Sequence, residues 1–495
     1  MSFAREWISA GAWCLPLACT SPLPSTPAAP PIVLSHVTVI DGNGGARREA
    51  VTIVIRDGRI IAVTEDSLAE PPAGARVIDA MGKFLIPGLW DMHVHTSWDR
   101  HFTMPLMIAN GVTGVREMFG SDMGAIRRAR GDIDAGRLLG PRIIAAGPII
   151  DGPGAVWPGS IVVHTAEEAR EAVARVQREG ADFVKVYSSL DREAYFAILA
   201  EARRRGLPVA GHVPRAVTLA EASDSGQRSV EHLLGMDELV RFESTQADSV
   251  FELLRRNGTW QTPTLAVLRV ASNPNDPALS RAASLRFVPY ALRGLWSLLR
   301  RSAGDAAPAE AERRRDVFAR QLRLVGRLAE NGVPLLVGTD TPNAYTIPGF
   351  SVHDELAFLV RAGLTPMAAL QAATREPARF LGLQDSVGTV TPGQVADLVL
   401  LDANPLVDIR NTRRISAVIR SGRYLSRSDL DRALAGVQRS RWRPSVAAVT
   451  LAGAIVRRLP IFVLLLFGGL VLGVPVAIVL LVRRWRRRRV RLNAA

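Results

Sequence analysis

Short apolar runs alternate with longer stretches of helical spacing over the middle of the chain. The runs cover residues 85–95, 111–118, 142–150, 183–187, 208–213, 229–232, 260–265 and 334–340. Between them, residues 166–179 place Ala169, Val173 and Val176 on one helical face. Residues 192–205 read as another helix, followed by Gly206 as its C-cap. Eight strand–helix repeats over roughly 250 residues predict a TIM-like (β/α)8 barrel of the α/β class. The crossings before the third and eighth runs are longer than the rest, and the latter, with a helical region at 310–328, predicts a local insertion.

The flanks have a different period. Residues 32–42, 51–64 and 75–79 before the barrel, and 396–402 and 415–425 after it, are β-rich. Asp57-Gly58 and Ser421-Gly422 supply hairpin turns. One small β-sandwich assembled from both flanks is the expected arrangement. The resulting plan is a signal-like segment and linker (1–31), sandwich (32–83), barrel (84–386), sandwich (387–425), basic linker (426–459), membrane span (460–482) and basic tail (483–495).

The span is expected because residues 460–482 carry no charge and are long enough, as a helix, to cross a ~30 Å hydrocarbon core. Seven arginines follow it, which predicts a cytoplasmic tail and a catalytic domain on the other side of a single-pass membrane protein. Membrane lipid then becomes a partner. The formal charge of +14 belongs mostly to the tail and to residues 426–458, leaving about +2 on the first 425 residues. That distribution points away from nucleic acid and toward anionic lipid. Both cysteines, Cys14 and Cys19, fall in the signal-like segment, so no disulfide framework is expected.

Polar residues collect at the ends of the apolar runs. His93 and His95 end the first, two apart and so on one face of a strand. Lys185 lies near the end of the fourth, His212 ends the fifth, His232 the sixth and Asp340 the eighth. In a barrel these strand ends form the mouth where chemistry takes place. Imidazole is the commonest transition-metal ligand, so a metal centre is the expected occupant. An isolated Asp340 would equally serve as a turn or helix-cap residue before Thr341-Pro342.

Lys185 sharpens the picture. All but two of the 61 Lys and Arg residues, Lys83 and Lys185, are arginine. A lysine retained inside Phe183-Val184-Lys185-Val186-Tyr187 would lose its proton on burial unless paired. A neutral lysine amine can take up carbon dioxide as a carbamate, an anion with two oxygens able to bridge two cations, which arginine cannot form. The bland alternative is a buried stem whose head reaches solvent.

With these residues placed, the chain resembles the amidohydrolase superfamily, in the branch of imidazolonepropionase-like proteins and metal-dependent Xaa-Pro dipeptidases. The resemblance rests on Pro87-Gly88-Leu89-Trp90-Asp91-Met92-His93-Val94-His95, Gly180 through Tyr187, Val230-Glu231-His232 and Gly338-Thr339-Asp340. It continues through Pro392-Gly393-Gln394-Val395-Ala396-Asp397-Leu398-Val399. It implies two divalent ions, zinc by donor type, with His93, His95 and Asp340 on one, His212 and His232 on the other, and carboxylated Lys185 between them. Asp340 and His212 are the implied catalytic residues, Asp340 as general base and His212 in polarising the substrate carbonyl. The implied substrate is a small amide or dipeptide-like molecule.

Where dipeptidase-like relatives carry a Gly-Gly-His element after the third strand, this chain reads Asp151-Gly152-Pro153-Gly154-Ala155-Val156-Trp157-Pro158-Gly159. That replaces a polar contact with an apolar wall. Trp157, Tyr187 and His353 are candidate substrate contacts, with packing roles as the alternative for each. A cyclic-amide hydrolase or deaminase is a second enzymatic reading of the same site, and a non-catalytic metal-binding ectodomain is a third.

Overall fold

The computed structural model describes residues 30–68, 70–242, 247–302 and 307–456. Its centre is a closed ring of parallel strands. Leu89–Val94, Val112–Glu117 and Arg142–Ala145 form one arc. Val184–Val186, Val209–Gly211, Ser229–Glu231 and Trp260–Thr262 form another, with Ile150–Asp151 and Ile161–Val162 on its edge. Bridges Ala146–Phe183, Gln261–Leu335 and Val94–Thr341 join the arcs. The eighth position is an extended segment rather than a regular strand. Its Leu336 amide donates to Gln261 O at 2.9 Å, and its Asp340 amide donates to His93 O at 2.8 Å.

The first apolar run is divided between two units. Phe84–Pro87 belongs to the sheet of the flanks, where it pairs with Leu398–Leu401 and Ile32–Val39. Only Leu89–Val94 belongs to the barrel. Gly88 lies between them because a Cβ there would meet Thr113 Oγ1 at 2.1 Å. Strands from both flanks join one eight-stranded sheet, in the order Arg423–Ser426, Ile415–Arg420, Leu398–Leu401, Phe84–Pro87, Ile32–Val39, Arg48–Arg56, Arg59–Glu65, with Arg76–Asp79 also on Ile32–Val39. Alternation along Leu398–Leu401 serves two cores at once. Leu398 and Leu400 pack with Val51, Ile53 and Ile55 inside this sheet, while Val399 and Leu401 face the barrel core.

Residues 427–456 are not an extended linker. Ser426 and Asp429 form a reciprocal capping box that starts the helix Arg427–Ser440, whose Leu430 and Val437 are buried. The helix Val446–Val456 follows, its first amides received by Asp99. Together with the insertion, these helices supply Leu285, Phe287, Trp296, Val437 and Leu451 to an apolar cluster that includes Trp98 beside the barrel mouth.

The expected transmembrane helix, and the single-pass placement that depends on it, do not hold for the described residues. Among the described residues no helix is long and apolar enough to cross a membrane. Val446–Val456 is apolar, but its 11 residues rise only about 16 Å, roughly half a hydrocarbon core. Pro308–Glu330 has 23 residues but carries arginine and glutamate along its length. The interval 460–482 lies outside the described residues, as do the signal-like residues 1–29. The fold is therefore a barrel with one flanking sheet and added helices, and neither a span nor a lipid contact has support in it.

Candidate metal centre

His93 sits on the barrel strand Leu89–Val94 and His95 directly follows it. Their ring centroids are 5.6 Å apart. His232 comes from the end of Ser229–Glu231, with its ring 4.5 Å from that of His93 and 5.2 Å from that of His212. Asp340 closes the group, its Oδ1 3.0 Å from His95 Nε2 and 3.4 Å from His93 Nε2. Ligand atoms of His93, His232 and Asp340 all lie within 4.8 Å of one another. His232 and Asp340 reach these positions through left-handed backbone, φ 62° and 58°. Non-glycine residues adopt that region where surrounding structure enforces it, commonly at functional sites.

Three of the four histidines have Nδ1 committed to a second group. His93 Nδ1 is 2.9 Å from Glu231 Oε2, His212 Nδ1 is 2.7 Å from Ser188 Oγ, and His232 Nδ1 is 2.7 Å from Thr264 Oγ1. Each arrangement leaves Nε2 as the nitrogen able to meet a metal ion. His95 differs. Its Nδ1 is 3.7 Å from Glu117 Oε1, beyond hydrogen-bond range, and its Nε2 faces Asp340.

Lys185 is buried on Val184–Val186 with no hydrogen-bond partner for Nζ. The adjacent Gly211, at φ 135°, leaves the room its stem requires, because a Cβ there would meet Lys185 Cδ at 2.9 Å and Val186 O at 2.3 Å. An orphaned buried amine close to His93, His212 and His232 and to the carboxylates of Glu231 and Asp340 is a poor purely structural device.

The electrostatics follow from burial and close neighbours. Burial, with the nearby Lys185 charge, holds His93 and His212 well below the ordinary imidazole range, and burial also lowers His232. Neutral imidazoles are the form that binds metal. Burial also opposes protonation of His95, but the carboxylates of Asp340 and Glu117 outweigh it and push its pKa up to about 9. Burial alone would raise Asp340. The hydrogen bond from His95 and its positive charge instead hold it well below the usual carboxylate range. Lys185 is pushed down to about 8 by burial, against the pull of Glu231 and Asp340.

Among the sequence-derived substrate contacts, Trp157 and Tyr187 reach the mouth. Trp157 Nε1 donates to Tyr187 OH at 2.8 Å, and Tyr187 stacks on His212 with centroids 3.8 Å apart. The Trp157 ring lies 6.5 Å from that of His95. His353 is elsewhere. It is buried in the helix Phe350–Arg361 with Nδ1 2.9 Å from Thr412 Oγ1, and it joins none of these contacts.

Several members of the site escaped the sequence reading. Trp98 stacks on His95 at 4.8 Å. Arg116 and Glu231, both fully buried, pair at 2.9 Å beneath the histidines. Asp91 accepts from Thr339 Oγ1 at 2.6 Å and ties the first strand to the eighth segment. The available signal was charge inside apolar runs, as in Val115-Arg116-Glu117-Met118 and Val230-Glu231.

Comparison with known proteins agrees with this geometry. Residues 84–425 match the Amidohydrolase family. Ochratoxinase of Aspergillus niger is 25% identical over 445 residues, covering 77% of this chain and 83% of its own. The solved structure of bottromycin amidohydrolase superposes with a TM-score of 0.68 at 30% identity, covering 83% of this chain and 90% of its own. A prolidase-like structure from Bifidobacterium longum gives 0.64 at 28% identity, covering 83% and 100%.

Proposed function

The chain belongs to the amidohydrolase family, and from that premise we propose a two-metal centre, bridged by carboxylated Lys185, that hydrolyses dipeptide-like or acyl-amino-acid amides. That it is a metal-dependent hydrolase of carbon–nitrogen bonds follows from the family and from its amide-cleaving relatives. The observation that carries the finer reading is the buried, unpartnered Lys185 Nζ. A fraction of neutral amine would add to carbon dioxide, forming one N–C bond and releasing one proton. The resulting anion would answer the positive charge of two ions.

In this reading His93, His95 and Asp340 hold one ion and His212 and His232 the other. Imidazole and carboxylate donors suit zinc. Divalent ions so held supply Lewis acidity and an activated water at neutral pH. Asp340, kept ionised by its histidine neighbours, takes a proton from the attacking water. As the C–N bond breaks, it passes that proton to the leaving nitrogen, giving a carboxylic acid product and an amine. His212, oriented by Ser188, faces the substrate carbonyl in this arrangement. Trp157 and Tyr187 line the mouth with aromatic surface, which favours a substrate with a bulky apolar or aromatic group.

The compact group His93, His232 and Asp340 supports a second reading, a single ion serving a cyclic-amide hydrolase or deaminase. Metal per chain separates the two. On the full chain loaded with zinc and bicarbonate, two ions falling to one or fewer in Lys185→Ala supports the bridged centre. One ion, unchanged by the substitution, selects the mononuclear reading. Turnover of dipeptides and N-acyl amino acids, against cyclic amides and aminated heterocycles, then tests the substrate class.

A further inference from the structure

A second cavity lies behind Trp98, on the side of the barrel covered by the C-terminal helices. Its volume is about 330 Å³, within the range of small-molecule sites. The floor is apolar, built by Trp98, Phe102, Met104, Ile126, Phe287 and Val437. The rim is basic and carries Arg100, Arg128, Arg441 and Arg443.

Four arginines line the cavity against one carboxylate. Asp99, the one carboxylate among the lining residues, is consumed by Ser445 Oγ at 2.6 Å and the Val446 amide at 2.8 Å. Arg100 and Arg128 form long ion pairs with Asp132 at 3.9 Å and Asp122 at 3.6 Å, carboxylates that lie outside the cavity lining. Arg441 lies over the Tyr290 ring and donates to a backbone carbonyl, Arg286 O. Among the described residues Arg443 faces no carboxylate within ion-pair distance. In addition, Trp98 is more than nine-tenths buried and its indole Nε1 has no hydrogen-bond partner.

An apolar floor under an arginine rim, in which Arg441 and Arg443 have no carboxylate within ion-pair distance among the described residues, matches one ligand chemistry. We propose that this cavity binds an amphiphilic carboxylate, with its hydrocarbon or aryl body against Trp98, Phe102 and Phe287 and its anionic head on the arginines. Guanidinium forks are suited to that head group. The cavity is separate from the metal centre, and Trp98 is their common wall, since it also stacks on His95. The metal ions are not required for this binding.

Calorimetric titration of the full-length, chelator-treated protein with octanoate below its micellar concentration tests the site. Removing metal first excludes a carboxylate bound by the centre itself. The expected result is one octanoate per chain, bound about tenfold more tightly than octanol or octylammonium. The exposed-rim substitutions Arg128→Gln and Arg443→Gln together should weaken octanoate about tenfold while leaving octanol unchanged. Equal affinity for octanoate in the wild type and the double variant, or no octanoate binding at all, overturns the proposal. Ser440→Phe, which fills the cavity from its rim, gives an independent check, and octanoate affinity unaltered by it also overturns the assignment.

Discussion

His232 Nδ1 lies 2.7 Å from the Oγ1 of Thr264, and Thr264 is held in the left-handed region at φ 53° to make that contact possible. The hydroxyl donates to Pro263 O at 2.8 Å, so it accepts from the imidazole and fixes the proton on Nδ1. A β-branched residue is strained in this region. Thr264 also precedes the helix Leu265–Ser272 but provides no cap to it. Glu355 supplies the missing cap, accepting from Leu265 N at 2.9 Å and Ala266 N at 2.6 Å.

The first prediction concerns that relay. Thr264→Val should weaken metal binding about 10- to 100-fold, while Thr264→Ser keeps affinity near wild type. Chelator competition measures both. An unaltered affinity in the valine variant would mean that His232 is oriented by something other than the hydroxyl.

A second concerns the ion pair under the histidines. Arg116 Nη2 contacts both oxygens of Glu231 at 2.9 Å, and Ser229 Oγ donates to the same carboxylate at 2.6 Å. Glu231→Gln leaves a fully buried guanidinium without its countercharge, which should cost about 3–5 kcal/mol of stability. Urea unfolding reads this directly. A loss below about 1 kcal/mol would show that Arg116 finds another partner.

Tyr187 gives a kinetic test. Tyr187→Phe keeps the ring on His212 but removes the oxygen that receives Trp157 Nε1. Losing one hydrogen bond of about 1 kcal/mol should raise KM roughly fivefold for an apolar amide with kcat little changed. If kcat falls instead, the hydroxyl serves the transition state rather than the position of Trp157.

The pH dependence of stability tests His353. Burial, with the Arg413 charge, pushes its pKa down to about 3. Between about pH 6.5 and that value the unfolded chain binds a proton that the folded chain refuses, so stability falls as pH falls across this window. The slope attributable to one such group is about 1.4 kcal/mol per pH unit. His353→Gln should therefore flatten the acid limb of a stability–pH curve relative to wild type. Parallel curves for the two proteins would place the acid sensitivity in other groups.

Some of this was readable from the chain alone because side-chain period is a local property. Alternation placed His93 and His95 on one strand end. One of only two lysines, Lys185, falls inside an apolar run. The boundary between barrel and flanking sheet was not readable, since Phe84–Pro87 and Leu89–Val94 form one continuous apolar run, and only hydrogen-bond partners divide it. The helix Arg427–Ser440 was hidden by its arginines, which suggested a linker although Leu430 and Val437 are buried.

By itself the sequence determined which residues could face a common mouth, because strand and helix periods depend only on neighbours. Tertiary structure decided which of them meet. His95 and Asp340 stand 245 positions apart, and His93 and Glu231 stand 138 apart. Closure of the barrel brings them into contact, and it also buries Arg116 against Glu231 and turns Thr264 toward His232. No local period encodes these pairings, because each partner's position is fixed by the packing of the whole ring.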